Sequence, residues 1–261
     1  MGKIITVSNQ KGGVGKTTTA INLGASLALA DRRVLLVDMD PQANLTSGVG
    51  QKERAGQVGT IYECLTKPDS PADSLPIVET GVQGLFLVPA DRQLTGAEIE
   101  LIHLNERESR LRQLLTGQRE RFDFILVDTP PSLGLLTLNA LVAADAVIIP
   151  LHCEYFALEG LADLVATLRR VRASFNRDLD IAGVLLTMHD ERTNLAQQVA
   201  REIRNFFAEK VYTTVIPRNV RLGEAPSHGL PVMLYDVRSR GAEAYLTLAR
   251  EVLERERYVS A

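Results

Sequence analysis

The sequence predicts one α/β domain built on a doubly wound, mostly parallel β-sheet with helices on both faces. Three observations predict it. Short apolar, β-branched segments recur along the chain, helix-forming segments separate them, and the distinctive motifs fall where an apolar segment ends. Lys3–Ser8 (KIITVS) is the first such segment, followed by a glycine-rich stretch at residues 9–15. Good helix formers run from Thr17 to Ala30. Arg33–Asp38 (RVLLVD) ends in an acid, as does Phe122–Asp128 (RFDFILVD without its first arginine). Leu85–Pro89, Ala146–Leu151 and Ile181–Thr187 complete the expected strands. Expected helices cover Arg107–Gln118, Leu133–Ala143, Glu159–Ser174, Leu195–Ala208 and Ala242–Arg255. In such a sheet a ligand belongs at the carboxyl ends of the strands. Gln51–Thr80, with Pro68, Pro71 and Pro76, is weakly patterned and reads as a variable connection with a short helix.

Composition narrows the class. With 45% hydrophobic and 23% charged residues, the chain reads as an ordinary globular protein. No Pro/Gly/Ser-rich boundary divides the 261 residues, so a single domain over 1–261 is expected. The two cysteines, Cys64 and Cys153, form no CxxC pair, and a reducing, cytoplasmic setting follows. The N-terminus MGKIITVSNQ lacks a basic-then-apolar leader, and no run of about eighteen apolar residues occurs. The histidines His103, His152, His189 and His228 have no metal-ligand spacing. The net charge of −3 does not by itself suggest nucleic acid. Yet Arg192–Arg240 holds eight Lys or Arg against four Asp or Glu, and Arg169–Arg177 adds four arginines without an acid. A basic face is compatible with the acidic total.

The segment GGVGKTTT follows the first expected strand and opens the first expected helix. Phosphoryl oxygens need closely spaced donors and no side-chain obstruction. Gly12, Gly13 and Gly15 let backbone N–H groups approach them, and the helix N-terminus adds a favourable dipole. Lys16 can reach the β- and γ-phosphates, and the Thr17 hydroxyl can ligate Mg²⁺. The standard phosphate-loop pattern has a glycine five residues before Gly15; here that position is Gln10. The bland alternative is a glycine-rich turn with a surface lysine. The neighbouring Lys11 either supplies charge to phosphates across a dimer interface or is a solvated lysine, and spacing leaves both open.

Asp38 and Asp40 lie in VDMDP, and Asp128 ends ILVD before Thr129-Pro130-Pro131. An acid ending a buried strand beside a phosphate loop suits Mg²⁺ coordination, usually through water. Asp128 fits that role, with Asp38 as a supporting acid near the metal. Asp40 is the candidate for positioning the attacking water. The alternative is that these acids cap the turns that follow them. Phosphoryl transfer depends mostly on positioning and charge neutralisation, so slow basal turnover, completed by a partner or by dimerisation, is expected.

KGGVGKTTT with Lys11, VDMDPQ and LVDTPPSLG together resemble the deviant-P-loop ATPases. Among these the chain is similar to the ParA (Soj-type) chromosome and plasmid partition ATPases. The likeness continues through CEYFALEG (Cys153–Gly160), LLTMHDERTN (Leu185–Asn194), VIPRNVRLGEAPSHG (Val215–Gly229) and YDVRSRGAEAY (Tyr235–Tyr245). The resemblance implies that Lys11 is a signature lysine reaching the other subunit's ATP in a sandwich homodimer. It implies that Gly12, Gly13, Val14, Gly15, Lys16, Thr17 and Thr18 cradle the phosphates. Pro217 and Asn219 would lie against the adenine, and Asp40 would be needed for hydrolysis. Arg192 and Arg221 match positions that bind double-stranded DNA without sequence preference; read without the resemblance, they are surface arginines or members of intramolecular ion pairs. The implied partners are DNA and a ParB-type protein whose basic N-terminal segment stimulates hydrolysis, with a nucleoid-associated location in the cytoplasm. Longer family members carry an N-terminal helix-turn-helix domain, which is not expected here.

A membrane-cycling positioning ATPase like MinD is the alternative. Its membrane helix would have to be the last one, where Tyr245, Leu248, Ala249, Val252 and Leu253 form a stripe at helical spacing. Such a stripe is more often core packing, and the tail ERERYVSA is a poor interfacial anchor. An iron–sulfur reductase like the nitrogenase iron protein would need a cysteine in the loop after Asp128, and none is there.

Overall fold

The computed structural model describes residues 1–67, 75–154, 157–190 and 192–259. Pro68 and Pro71 of the weakly patterned connection lie outside the described residues. So do Tyr155 and Phe156 of CEYFALEG, Glu191 of DERTN, and Ser260 and Ala261 of the tail.

The strands are β1 (Lys3–Val7), β2 (Val34–Asp38), β3 (Val78–Glu79), β4 (Leu85–Val88), β5 (Phe124–Asp128), β6 (Ala146–His152) and β7 (Asp180–Thr187). They form one sheet in the order β3-β4-β2-β5-β1-β6-β7. Only the short edge pair β3–β4 is antiparallel. The helices are α1 (Lys16–Leu29), α2 (Asn44–Gly48), α3 (Lys52–Val58), α4 (Ile61–Thr66), α5 (Leu94–Glu100), α6 (Arg110–Thr116) and α7 (Leu135–Ala143). After these come α8 (Ala157–Ser174), α9 (Asn194–Phe207), α10 (Val220–Glu224), α11 (Val232–Tyr235) and α12 (Arg240–Val259).

Each expected strand is present to within two residues. β3 is the addition, too short at two residues to leave a pattern. The connection from Gln51 holds two helices, α3 and α4, instead of one. α4 is stabilised by a capping box that sequence spacing alone could have shown: the Thr60 hydroxyl accepts from Tyr62 N–H, and Glu63 accepts from Thr60 N–H.

Strand alternation builds two cores. Ile4, Leu35, Val37, Ile125, Val127, Val147 and Ile149 face the layer of α4–α9. Ile5, Val7, Val34, Leu36, Leu126 and Ile148 face α1 and α10–α12. Both faces are therefore apolar, as continuous Val/Ile/Leu strands require. The apolar stripe of α12 is taken up here: Tyr245, Leu248, Ala249 and Val252 are buried against α1 and the sheet. Among the described residues no helix is long and apolar enough to cross a membrane.

The topology fixes where chemistry can occur. From β1 the chain winds through α1 to β2 on one side, while β6 lies on the other. The crevice above β1 is thus where the winding direction reverses, the place where α/β sheets bind ligands. Register then brings three strand ends together. Val7 pairs with Asp128, and Asp128 pairs with Asp38.

Candidate nucleotide site

The loop after β1 is held from two sides before any ligand is considered. Asn9 donates from Nδ2 to the Pro150 carbonyl of β6 at 2.8 Å, and its Oδ1 accepts from Lys11 N–H at 3.0 Å. At the far end of the loop, the Thr187 hydroxyl of β7 donates to the Val14 carbonyl at 2.8 Å. Gly13 and Gly15 carry φ of 73° and 88°, the left-handed region that glycine adopts freely. A side chain at Gly13 would meet nothing within 4 Å. Backbone conformation, not crowding, calls for glycine there.

Gly15 leads into α1, and the helix start is bare. No side chain caps it and no acid lies in its first turn. The first N–H groups of a helix have no partner within it, so this end presents free donors and a positive dipole end to the crevice.

A cleft of about 510 Å³ opens at this point. Gly12, Gly13, Gly15, Lys16, Thr17, Thr18 and Asp40 line its loop end. Ile216, Arg218, Asn219, Leu222 and Tyr245 line the other. Lys16 is buried, and its ammonium donates to the Lys11 carbonyl at 3.1 Å. Burial lowers its pKa, while Asp128 and Asp40 pull in the opposite sense.

The three acids have different surroundings. Asp38 is buried and saturated: Oδ2 accepts from Thr46 N–H at 2.9 Å and from the Thr46 hydroxyl at 2.7 Å, and Oδ1 accepts from Asp40 N–H at 3.1 Å. Burial pushes its pKa up to about 6 against those hydrogen bonds. Asp128 is equally buried, yet neither carboxylate oxygen has a hydrogen-bond partner. Its pKa is raised well above the usual carboxylate range, first by burial and then by Asp38; the nearby Thr17 hydroxyl and Lys16 oppose the shift. Asp40 lies on the cleft wall, with Oδ1 accepting from Gln42 N–H at 2.9 Å. A buried, unpartnered carboxylate below a bare helix start and a buried lysine fits a magnesium-bound triphosphate.

Of the other expected residues, only Asn219 borders this cleft. Lys11 is exposed and its ammonium is ion-paired with Glu154, whose second oxygen lies 2.8 Å from His152 Nδ1. Val14 is buried and contributes its carbonyl to Thr187. Asn219 borders the cleft while its Oδ1 caps α10 by accepting from Arg221 N–H at 3.0 Å. Pro217 lines a neighbouring groove instead. Arg192 forms a two-pronged pair with Asp190 at 2.8 and 2.7 Å, and Arg221 pairs with Glu224 at 2.7 Å and Asp236 at 3.2 Å.

Sequence reasoning missed Asn9, Thr46, Thr187 and Tyr245. Asn9 was legible as an Asx-type turn residue two before Lys11. Thr187 and Tyr245 act from distant segments, and Thr46 acts from α2, eight residues beyond Asp38. Tyr245, for example, meets the Thr19 hydroxyl at 3.1 Å across 226 residues of chain. Strain also gathers at the cleft rim. Ala43 and Met188 hold φ of 53° and 47°, costly for residues with a Cβ, and Met188 lines the cleft.

The likeness to known proteins runs along most of the chain. A family model described as an AAA domain matches residues 2–181. The sporulation initiation inhibitor protein Soj of Bacillus subtilis is 57% identical over 253 residues, covering 97% of this chain and 98% of that protein. The chromosome partitioning protein ParA of Myxococcus xanthus is 55% identical over 256 residues, covering 98% and 89%. Among solved structures, a cobyrinic acid a,c-diamide synthase from Mycobacterium smegmatis with bound ADP and magnesium superposes with a TM-score of 0.84. It shares 36% identity and covers 98% of this chain and 96% of its own. A match over most of the sequence and relatives above half identity along nearly its whole length place the chain in the Soj/ParA family of chromosome-partitioning ATPases.

Proposed function

We propose that this partitioning ATPase binds magnesium-ATP in the cleft above β1 and closes face to face on a second copy. The closed pair grips double-stranded DNA without sequence preference. Hydrolysis, slow until a ParB-type partner stimulates it, lets the pair go. The carrying observation is the Asp128 carboxylate, buried and unpartnered beneath the uncapped start of α1. Work would take place in the cytoplasm, on the nucleoid.

The chemistry follows from the residues. Gly12, Gly13 and Gly15 keep the loop open so that backbone N–H groups and the first turn of α1 bind phosphate oxygens. Lys16 holds its charge at the β- and γ-phosphates. Thr17 and Asp128 would hold magnesium, which supplies charge neutralisation at the transferring phosphate. Asp38 is engaged by Thr46 and Asp40, so its part is to fix the strand end and to add negative charge behind Asp128. Asp40 faces the cleft and can orient the attacking water. Asn219 and the walls at Ile216, Leu222 and Tyr245 would receive the base, with the Pro217 segment behind them. Lys11 would leave Glu154 to reach the partner's phosphates, which makes nucleotide occupancy a condition of pairing. Arg192 and Arg221 from two subunits would then combine on one surface, with affinity that falls steeply with salt.

The test is DNA retardation with ATP, with ADP and without nucleotide across a salt series. Retention confined to ATP and weakening with salt is expected. Equal retention in all three states would overturn the switching account.

A further inference from the structure

Four arginines without an acid lie between Arg169 and Arg177, and neither the nucleotide cleft nor the DNA reading uses them. They occupy the last two turns of α8 and the residues just beyond it. A groove of about 210 Å³ opens beside them, between α7 and α8. Leu133, Leu138, Leu141, Val171 and Phe175 give it an apolar lining, with Arg170 on its wall. Its two threonines bond back to the backbone: the Thr137 hydroxyl donates to the Ser132 carbonyl at 2.6 Å, and the Thr167 hydroxyl to the Asp163 carbonyl at 3.1 Å. The groove therefore offers mainly carbon.

Folding leaves two features of this face without a use. α7 carries no charged residue in nine positions, which suits a helix covered on all sides. Yet Leu135 and Leu138 are only half-buried, and Leu133, just before the helix, is exposed. Phe175 is exposed too, and it is held in place. Its carbonyl accepts from Arg112 at 3.3 Å, and the next residue, Asn176, donates from Nδ2 to the carbonyls of Leu141, Val142 and Ala144 at the end of α7. A fixed aromatic at the mouth of an apolar groove loses little freedom on being covered, which is what an interface anchor needs. The rim then sets the charge of whatever covers it. Arg169, Arg170 and Arg177 are exposed, with no hydrogen bond or ion pair among the described residues. Arg172 is drawn to Asp180, but Asp178 and Asp180 line a different concavity, at the start of β7.

We propose that the groove between α7 and α8 docks an acidic amphipathic helix of a partner protein. One large apolar side chain of that helix fills the groove against Phe175, and carboxylates about one turn to either side meet Arg169, Arg170 and Arg177. A volume of about 210 Å³ holds a single leucine or phenylalanine anchor. A groove between two neighbouring helices receives a third through the same ridges and grooves that pack helices in a core. A basic segment, such as the one expected of a ParB-type partner, is repelled by this rim, so the two partners do not compete for it. The proposal stands independently of the DNA-binding reading.

The experiment selects a phage-displayed library of helices of roughly 16 residues, long enough to hold a helix, on the nucleotide-free protein. Leucine or phenylalanine is fixed at two central positions one turn apart, and the flanking positions are randomised. A parallel selection uses the variant carrying both Arg170→Glu and Phe175→Ala. Thermal melting and binding of a fluorescent ATP analogue verify that each variant is folded. Clones recovered on wild type and not on the double variant are expected to carry Asp or Glu beside the anchor. Their consensus peptide, labelled with fluorescein and read by anisotropy, should bind Arg170→Glu and Phe175→Ala each at least about tenfold more weakly than wild type. Exchange of its acids for lysine should abolish binding. Arg250→Ala, an exposed arginine of α12 outside the groove, should leave it unchanged. Clones rich in Lys or Arg, clones that bind the double variant equally well, or no enrichment at all would overturn the proposal. So would either rival occupant. Flotation with phosphatidylcholine–phosphatidylserine vesicles that is lost in Phe175→Ala would assign the face to a membrane. A rise in mass with concentration, seen without nucleotide and removed by the same substitution, would assign it to a second copy.

Discussion

Asp38 and Asp128 are register partners on adjacent parallel strands, yet the Asp38 carboxylate accepts three hydrogen bonds and neither oxygen of the Asp128 carboxylate has a partner. One carboxylate is fixed by the fold and the other is buried without a partner. The difference comes from Thr46, which reaches Asp38 with both its N–H and its hydroxyl.

This pair sets a pH dependence. An aspartate titrates near 3.9 in the unfolded chain, whereas Asp38 in the folded chain is pushed up to about 6. Between those values the folded state holds the proton more tightly. Stability of the nucleotide-free protein contributed by Asp38 is therefore present at low pH and is lost as pH rises from about 4 to 6. At about 1.4 kcal/mol per pH unit, the change is on the order of 2–3 kcal/mol. Urea unfolding of wild type and Asp38→Asn from pH 4 to 7 checks it. The variant should show the flatter profile, and parallel profiles would contradict the assignment.

Removing the lysine beneath the loop should weaken nucleotide binding. Lys16→Ala deletes the cleft's buried cation and leaves Asp40 and Asp128 facing it without compensation. Loss of a charge-assisted contact of roughly 2 kcal/mol corresponds to about thirtyfold weaker ATP binding. Calorimetric titration reads this directly, and wild-type affinity in the variant would remove Lys16 from the site.

Asp40→Ala separates binding from chemistry. The side chain lies on the cleft wall and holds only Gln42 N–H, so its loss should leave ATP binding and pairing intact. Phosphate release should fall by roughly 10²-fold or more, as for loss of a group that positions a proton acceptor. The variant should elute as a dimer with ATP and keep DNA. Elution as a monomer would show that Asp40 serves assembly instead.

Thr187→Val tests the loop's support. The hydroxyl donates to the Val14 carbonyl from the wall of the cleft, so the substitution keeps shape and deletes one hydrogen bond. A cost of about 1–2 kcal/mol in unfolding free energy is expected, with weaker ATP binding because the loop is less well held. If stability falls while ATP affinity stays at wild type, the contact is structural only.

The glycines of GGVGK, Lys16 and the acids ending RVLLVD and FILVD were readable because each sits within a few residues of the strand that positions it. The strands themselves were readable because both sheet faces are buried, which forces continuous apolar runs. Asn219 was placed by resemblance, but its capping of α10 was visible only in three dimensions. Pro217 was expected beside the base, and its side chain borders the adjoining groove. Arg192 and Arg221 were found in a basic stretch, yet their carboxylate partners were not apparent there.

The strand ends, the phosphate loop and the family were legible before any folding, since these depend on local pattern and on residues close together in the chain. The packed chain is needed to see which carboxylate is engaged and which is bare, what pins the loop, and which acids hold Arg192 and Arg221. Thr187 meets Val14 across 173 residues of chain, while Thr46 turns back on Asp38 from α2, eight residues further on. No local pattern encodes such meetings, because the crossovers between parallel strands place distant segments side by side.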